Sequence, residues 1–165
     1  SVIIVNGKYT LHEPILDDND KIVLEKIKKK KRIKGMEMGW KLIKKYLEKL
    51  NIQEGHDTSI KYYVVNDMLG LGRIEPFLHD DGIKSISCDD YTKPVEVIIH
   101  GKKHETNMKF QNKDELKEFI MNIAQRIGKK LTKKQTAAEG TLRGFTVVLD
   151  SGINLESPKF NMTRS

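Results

Sequence analysis

The hydrophobic periodicity of the chain changes at Pro76, and this change constrains the fold more than any other feature. Before Pro76, apolar residues recur at helical spacing, and the clearest stripe consists of Met36, Trp40, Ile43, Leu47 and Leu50. After it, short runs rich in β-branched residues, such as residues 94–100, stand between turn residues. The chain therefore combines a helical part with a part built on strands.

The first 72 residues are expected to form a helical bundle behind a small hairpin. Residues 2–5 and 8–11 flank Asn6-Gly7, a strong hairpin turn signal. Helical patterns follow over residues 20–33, 36–50 and 57–69, and Gly70 and Gly72 end the last of them. We expect residues 1–72 to be one subdomain.

Residues 73–165 are expected to form an α/β subdomain. The predicted strands are residues 83–88, 95–100, 103–110, 142–149 and 159–164. Between them, Asn112 and Glu115 resemble a capping box that opens a long amphipathic helix over residues 112–127. The predicted fold class is thus α+β, with an N-terminal helical bundle followed by a small antiparallel or mixed sheet that one long helix covers.

The positive charge is local. The chain of 165 residues has a formal net charge of +7, and residues 26–34 alone carry seven cations. This run is typical of a solvated helix face, or of a dock for an acidic partner or the inner membrane surface. The candidate docking residues are Lys28, Lys29, Lys30, Lys31 and Arg32. A single cysteine, Cys88, fits a cytoplasmic setting.

Motifs for catalysis are not evident. Gly-Lys occurs three times, and neither Ser nor Thr follows in any case, so a phosphate-binding loop is not predicted. The five histidines and one cysteine are not clustered, and no metal site is predicted. Asp80-Asp81 and Asp89-Asp90 adjoin turn residues, and turn chemistry explains them more simply than metal binding. An independent small enzyme is therefore the least favoured interpretation.

A series of short motifs occurs in a consistent order over residues 58–165. The first motif is LGLGRIEP at residues 69–76, followed by Ile83, Ile86 and Ser87 in a strand of the I-x-x-I-S type. The later motifs are KPV at 93–95, TN at 106–107, AQRIGK at 124–129, EG at 139–140 and FNM at 160–162. The series resembles, in the same order, the N-terminal domain of the type II and type IV secretion ATPases. The most similar members are the archaeal secretion and archaellum motors and their tight-adherence relatives.

The resemblance implies a domain that is not itself an ATPase and holds no cofactor, joined to a RecA-like ATPase domain that binds ATP and magnesium. The implied partners are that domain, the neighbouring subunits of a homohexamer and a membrane platform protein of the secretion machine. The implied location is the cytoplasm, peripheral at the inner face of the cell membrane.

The family's N-terminal domain contributes arginines to the nucleotide phosphates, and this chain departs from that pattern. The family arginine after the EG position aligns with Thr141, and the last one aligns with Thr163. The nucleotide-contact candidates are consequently neighbouring or motif-borne arginines: Arg143, Arg164 and Arg126. A divergent paralogue with weakened nucleotide contact is a second interpretation.

The alternative function is a stand-alone nucleic-acid-binding or adaptor module that uses the lysine-rich helix at residues 20–33. Such a module would bind with a steep salt dependence. Aromatic residues are sparse in the basic run, which weakens the case for stacking on bases. Nucleic acid is therefore not the expected partner.

Overall fold

The computed structural model describes residues 2–30, 35–52, 55, 57–153 and 155–165. Within it the chain divides into two compact units, which are described separately. One is Glu13–His79, and the other combines Ser1–His12 with Asp80–Ser165. The sequence-based boundary at residue 72 assigned the N-terminal hairpin to the helices, whereas the structure assigns it to the unit that holds the sheet.

The sheet unit contains eight strands in the order β1-β2-β5-β4-β3-β8-β7-β6. Neighbouring strands are antiparallel, except that β2 and β5 run parallel. The strands are β1 Val2–Val5, β2 Lys8–Leu11, β3 Ile83–Cys88, β4 Pro94–Ile99, β5 Lys102–Lys109, β6 Ala137–Leu142, β7 Phe145–Asp150 and β8 Lys159–Arg164.

Two-residue turns with positive φ at both positions join three of the hairpins. These turns are Asn6-Gly7, His100-Gly101 and Arg143-Gly144, with φ values of 51° and 77°, 49° and 75°, and 51° and 79°. Both central residues of a type I′ turn need this left-handed backbone, which glycine adopts readily and which matches the twist of the strands. The Asn6-Gly7 prediction is confirmed. The predicted strand 142–149 is confirmed over residues 145–149, which belong to β7, whereas its first residues are the end of β6 and the third turn.

The helices are α1 Asp18–Lys28, α2 Met36–Lys49, α3 Asp57–Val64, α4 Glu75–Leu78 and α5 Lys113–Arg126. In the sheet unit, α5 contacts β7 and β8. It begins at Asn112, whose side chain accepts a hydrogen bond from the backbone N–H of Glu115 at 2.8 Å, as predicted. Leu116, Ile120 and Ile123 on one side of α5 are fully buried.

In the unit Glu13–His79, α1, α2 and α3 pack around one apolar cluster. Its fully or nearly fully buried members are Val23, Leu24, Ile27, Ile43, Ile60 and Val64. A π-helical turn over Val65–Leu69 continues α3, and a 3₁₀ turn over Gly72–Ile74 precedes α4. Asp17 caps α1 by accepting a hydrogen bond from the N–H of Asp20 at 2.8 Å.

The predicted fold class is wrong. The sheet is not small, since it has eight strands and includes the N-terminal hairpin, and the helices of the first half are short segments of 11, 14 and 8 residues rather than an N-terminal bundle. The physical reason is the parallel pairing of β2 with β5. The ring of His104 lies 3.0 Å from the carbonyl oxygen of Gly7, and the Leu11 N–H donates to the Asn107 side chain at 2.9 Å.

Candidate functional site

The first family-like motif, at residues 69–76, is organised around a buried glutamate. Glu75 is only 2% exposed, and its Oε2 accepts a hydrogen bond from the Leu71 N–H at 2.7 Å. Its Oε1 lies 3.0 Å from the Nε2 of His79. A Cβ at Gly70 would lie 2.6 Å from the Glu75 carboxyl carbon. The motif therefore pairs a glycine with an acid because the acid occupies the space that a side chain at Gly70 would need.

A second glycine of the family-like motifs, Gly140, also lies where a side chain would meet a neighbouring residue. Gly140 lies on β6, and a Cβ there would lie 3.0 Å from the Cδ1 of Ile127, directly after the end of α5. The Ile127 side chain can thus pack on the strand at Gly140. This contact joins two segments that the sequence resemblance identified separately, AQRIGK and EG.

Two of the three predicted nucleotide-contact arginines lie at one end of the sheet. Arg143 is exposed in the β6–β7 turn, and Arg164 is the last residue of β8. A hydrogen bond of 2.9 Å from the Ser165 N–H to the Gly144 carbonyl oxygen ties the turn to the end of β8. The structure therefore brings the backbones at Arg143 and Arg164 to neighbouring positions.

The side chain of Arg164 is engaged in structural contacts. Its Nε donates to the Ile83 carbonyl oxygen and its Nη2 to the Asp80 carbonyl oxygen, both at 3.1 Å. Its guanidinium carbon lies 4.6 Å from the centre of the Phe145 ring, within cation–π range. Arg164 thus holds the chain ahead of β3 against the end of β8, and a phosphate would have to compete with these contacts.

A tyrosine that the sequence did not single out supports this end of the sheet. Tyr9 on β2 is fully buried, and its hydroxyl donates to Oδ2 of Asp80 at 2.9 Å. Oδ1 of Asp80 accepts from the Gly82 N–H at 2.9 Å, which confirms the turn interpretation of Asp80. Burial, and then the adjacent carboxylate, raise the pKa of the Tyr9 hydroxyl well above its usual range. No sequence signal links Tyr9 to Asp80, because 71 residues separate them.

Arg126 lies in the last turn of α5 and not in the β6–β7 turn. Its side chain is exposed, and its Nε donates to Oδ1 of Asn122 at 2.9 Å on the same helix. The structure thus places Arg126 on a helix surface and not on the strand ends that carry Arg143 and Arg164.

The predicted docking lysines are only partly described. The Nζ of Lys28 forms an ion pair with Asp67 at 2.7 Å, and Lys29 and Lys30 are exposed. Lys31 and Arg32 lie outside the described residues. Since Lys28 is already paired, it is a weaker candidate for partner docking than Lys29 and Lys30.

Metal-binding and nucleophilic chemistry gain no support from the described part of the chain. In residues 2–30, 35–52, 55, 57–153 and 155–165, no three His, Cys, Asp or Glu side chains are grouped to hold a metal ion. Cys88 is buried, and desolvation raises the pKa of its thiol to about 11. Asp90 accepts hydrogen bonds from the N–H and the hydroxyl of Thr92, each at 2.8 Å, so it too is a turn residue. None of the helices in these ranges is long and apolar enough to cross a bilayer.

Comparisons with known proteins give similarities in sequence and in structure. No profile of a known protein family matches the chain. Over 95 residues, or 57% of its length, the chain is 33% identical to an uncharacterised protein of Methanocaldococcus jannaschii, and it spans 38% of that relative. In structure, 56% of the chain is similar to 29% of the VirB11 ATPase of the Brucella suis type IV secretion system, crystallised with sulphate, with a TM-score of 0.44 and 9% identity.

Proposed function

We propose that this chain is the non-catalytic N-terminal domain of a secretion, pilus or archaellum-assembly ATPase. In this role it supports assembly of a ring of subunits, docks a partner and contributes an arginine to the nucleotide. The proposal rests first on the motif series over residues 58–165, which keeps the family order. The contacts between Gly70 and Glu75 and between Gly140 and Ile127 give three of these motifs a physical role.

The observation that carries the nucleotide-contact part of the proposal is the position of Arg143. It lies in a tight turn that β6, β7 and the end of β8 hold in place, and its side chain is exposed. An arginine on a rigid element costs little reorganisation when it meets a phosphate, and a guanidinium stabilises the charge of the transferring phosphoryl group. Arg164 acts mainly as a support because backbone carbonyls and an aromatic ring hold it.

The proposal also includes the nucleotide-binding domain and the other partners of this chain. ATP and magnesium would bind in an adjoining RecA-like domain, and the partners would be that domain, neighbouring subunits of a homohexamer and a membrane platform protein. The exposed Lys29 and Lys30 would face the acidic partner or the anionic inner surface of the cell membrane.

The test is to purify the natural protein that contains this chain and to measure steady-state ATP hydrolysis alongside the chain alone. We expect hydrolysis by the longer protein, with magnesium required, and none by residues 1–165. Hydrolysis by the chain alone would contradict the non-catalytic assignment. A longer protein that hydrolyses no ATP, or that has no phosphate-binding loop, would overturn the proposal as a whole.

A further inference from the structure

The loop between α5 and β6, residues 127–136, carries a concentrated positive charge. It has no acidic residue and four lysines, Lys129, Lys130, Lys133 and Lys134. All four are exposed, and none of them forms an ion pair with another described residue. A block of like charges of this kind often marks a surface that meets an anion. We refer to this segment as the lysine loop.

Backbone hydrogen bonds and one buried side chain hold the lysine loop in place. The Lys129 N–H donates to the Ala124 carbonyl oxygen at 2.8 Å, which is part of a Schellman motif at the end of α5. The Thr132 hydroxyl oxygen accepts the N–H of Gln135 at 3.1 Å, and Leu131 is only 5% exposed. The backbone that carries the lysines is therefore ordered before a partner arrives, so binding costs less conformational entropy.

The loop between β7 and β8, residues 151–158, presents apolar side chains at the same end of the sheet. The Ser151 N–H donates to the Thr136 carbonyl oxygen at 2.8 Å, so the two loops meet. The Leu155 N–H donates to the Gly152 carbonyl oxygen at 3.2 Å, and Ile153 and Leu155 are 43% and 42% exposed. Polar residues are usual in such turns. This one instead places two aliphatic side chains in solvent beside a basic loop.

The charge of this end of the sheet is positive on the β6 side. The two loops together contain the four lysines and one acidic residue, Glu156, which gives a formal charge of +3. Asp89 and Asp90 follow β3, which β8 and β7 separate from β6 in the strand order. The Arg143 turn lies at the other end of β6, about 20 Å away along the strand. The two loops are therefore a surface separate from the proposed nucleotide contact.

The composition of this surface favours a lipid bilayer over nucleic acid or protein. Neither loop contains an aromatic residue or an arginine, the residues that dominate protein interfaces and that stack on or pair with bases. Lysine suits an anionic bilayer, which attracts each cation near its surface without a fixed geometry. Ile153 and Leu155 would gain little from a phosphate backbone, whereas at a bilayer they can enter the boundary between headgroups and acyl chains.

We propose that the lysine loop and the β7–β8 loop together form a contact surface for an anionic lipid bilayer. The four lysines lie over the headgroups, and Ile153 and Leu155 insert at the headgroup–acyl boundary. This surface belongs to the sheet unit, so it is additional to Lys29 and Lys30 of the other unit. It does not depend on the proposed ATPase function.

Co-sedimentation of the chain with vesicles tests the charge contribution. We expect binding to phosphatidylcholine vesicles that contain about one-third phosphatidylserine, at about 0.1 M salt, and little binding to pure phosphatidylcholine. The double variant Lys133→Gln/Lys134→Gln should bind roughly 25-fold more weakly, because each lysine near an anionic surface contributes about fivefold. The matched control Lys8→Gln/Lys102→Gln removes the same charge from exposed positions on β2 and β5, distant from β6 in the sheet, and should change binding less than about twofold.

A fluorescent label tests insertion independently of total charge. Cys88 is buried, so a polarity-sensitive fluorophore can be attached selectively to Leu155→Cys. Its emission should shift to shorter wavelength with the anionic vesicles, whereas the same label on Val5→Cys, exposed on β1, should not respond.

Four results would overturn the proposal. The first is a chain that does not bind the anionic vesicles, and the second is binding that Lys133→Gln/Lys134→Gln does not weaken. The third is a label at position 155 that stays in water while the chain is bound, since another basic segment would then make the contact. The fourth is a chain that ignores vesicles but binds a DNA duplex through Lys133 and Lys134, which would assign the lysine loop to nucleic acid.

Discussion

Replacing Gly70 by alanine tests the contact that organises the first motif. The backbone of Gly70 has φ −96° and ψ −157°, which any residue adopts, so alanine brings no backbone strain. By itself this change would stabilise the fold by about 0.4–1 kcal/mol, because it restricts the unfolded chain. We expect the opposite sign, because the new Cβ would lie 2.6–2.7 Å from three atoms of the Glu75 side chain.

The magnitude follows from what Glu75 must give up. Moving its carboxyl group breaks the 2.7 Å hydrogen bond from the Leu71 N–H, and an unsatisfied buried amide costs about 1–3 kcal/mol. Overpacking a filled site adds about 1–3 kcal/mol. After the gain from the unfolded state is subtracted, Gly70→Ala should lower the free energy of unfolding by roughly 3 kcal/mol.

The assay is urea unfolding followed by the fluorescence of Trp40, the single tryptophan, which lies on α2 in the same unit as Gly70. A double-mutant cycle with Glu75→Ala isolates the contact, since alanine at position 75 removes the obstructing atoms. We expect a coupling energy of roughly 3–4 kcal/mol, because Gly70→Ala should cost roughly 3 kcal/mol beside Glu75 and gain about 0.4–1 kcal/mol once Glu75 is removed.

Gly72→Ala is the matched control. Gly72 has φ +60° with no atom near its Cβ position, so this change should cost about 1–2 kcal/mol and add to Glu75→Ala. Additive effects of Gly70→Ala and Glu75→Ala, or a Gly70→Ala protein as stable as the wild type, would refute this reasoning.

Three further predictions concern the sheet unit. The pKa of the Tyr9 hydroxyl is raised, so the unfolded chain loses that proton first. The stability that Tyr9 contributes is therefore complete below about pH 10 and is lost as the pH rises above it, and Tyr9→Phe should flatten this decline in alkaline urea titrations. The Asn112→Ala variant should lose about 1 kcal/mol of stability through the missing cap of α5, as measured by urea unfolding followed by circular dichroism. The Cys88 thiol, with its pKa at about 11, should react with a disulfide reagent at pH 8 at least ~100-fold more slowly than in the urea-unfolded chain, and equal rates would contradict its burial.

Features set by neighbouring residues were predictable from sequence. The Asn6-Gly7 turn needs left-handed backbone at both positions, and the cap at Asn112 needs a side-chain oxygen one turn ahead of an amide. Both signals lie within four residues of the structure they specify. The paired glycine and glutamate of the first motif were visible as a pattern, although only the structure shows that they touch.

Features set by distant pairing were not predictable. Strand β6 begins with Ala-Ala-Glu-Gly, residues with low strand propensity, and it is a strand because it pairs with β7 along its whole length. From the sequence alone we would expect the hairpin of β1 and β2 to be independent of the later strands, because β5, its neighbour in the sheet, lies almost a hundred residues further along the chain. At the candidate site, too, only local features were predictable. The arginines near the family positions could be identified from the sequence, but the backbone contacts that occupy the Arg164 side chain could not.

The most direct test of the account is the turnover number for ATP hydrolysis by the natural protein that contains this chain, carrying Arg143→Ala. If the Arg143 guanidinium contacts the nucleotide phosphates in the transition state, the turnover number should fall by roughly 10²–10³-fold. Under the same conditions Arg126→Ala, which changes an exposed residue of α5, should leave the turnover number within about twofold, the small effect usual for a surface substitution. An Arg143→Ala protein that folds and hydrolyses ATP at the wild-type rate would contradict the account.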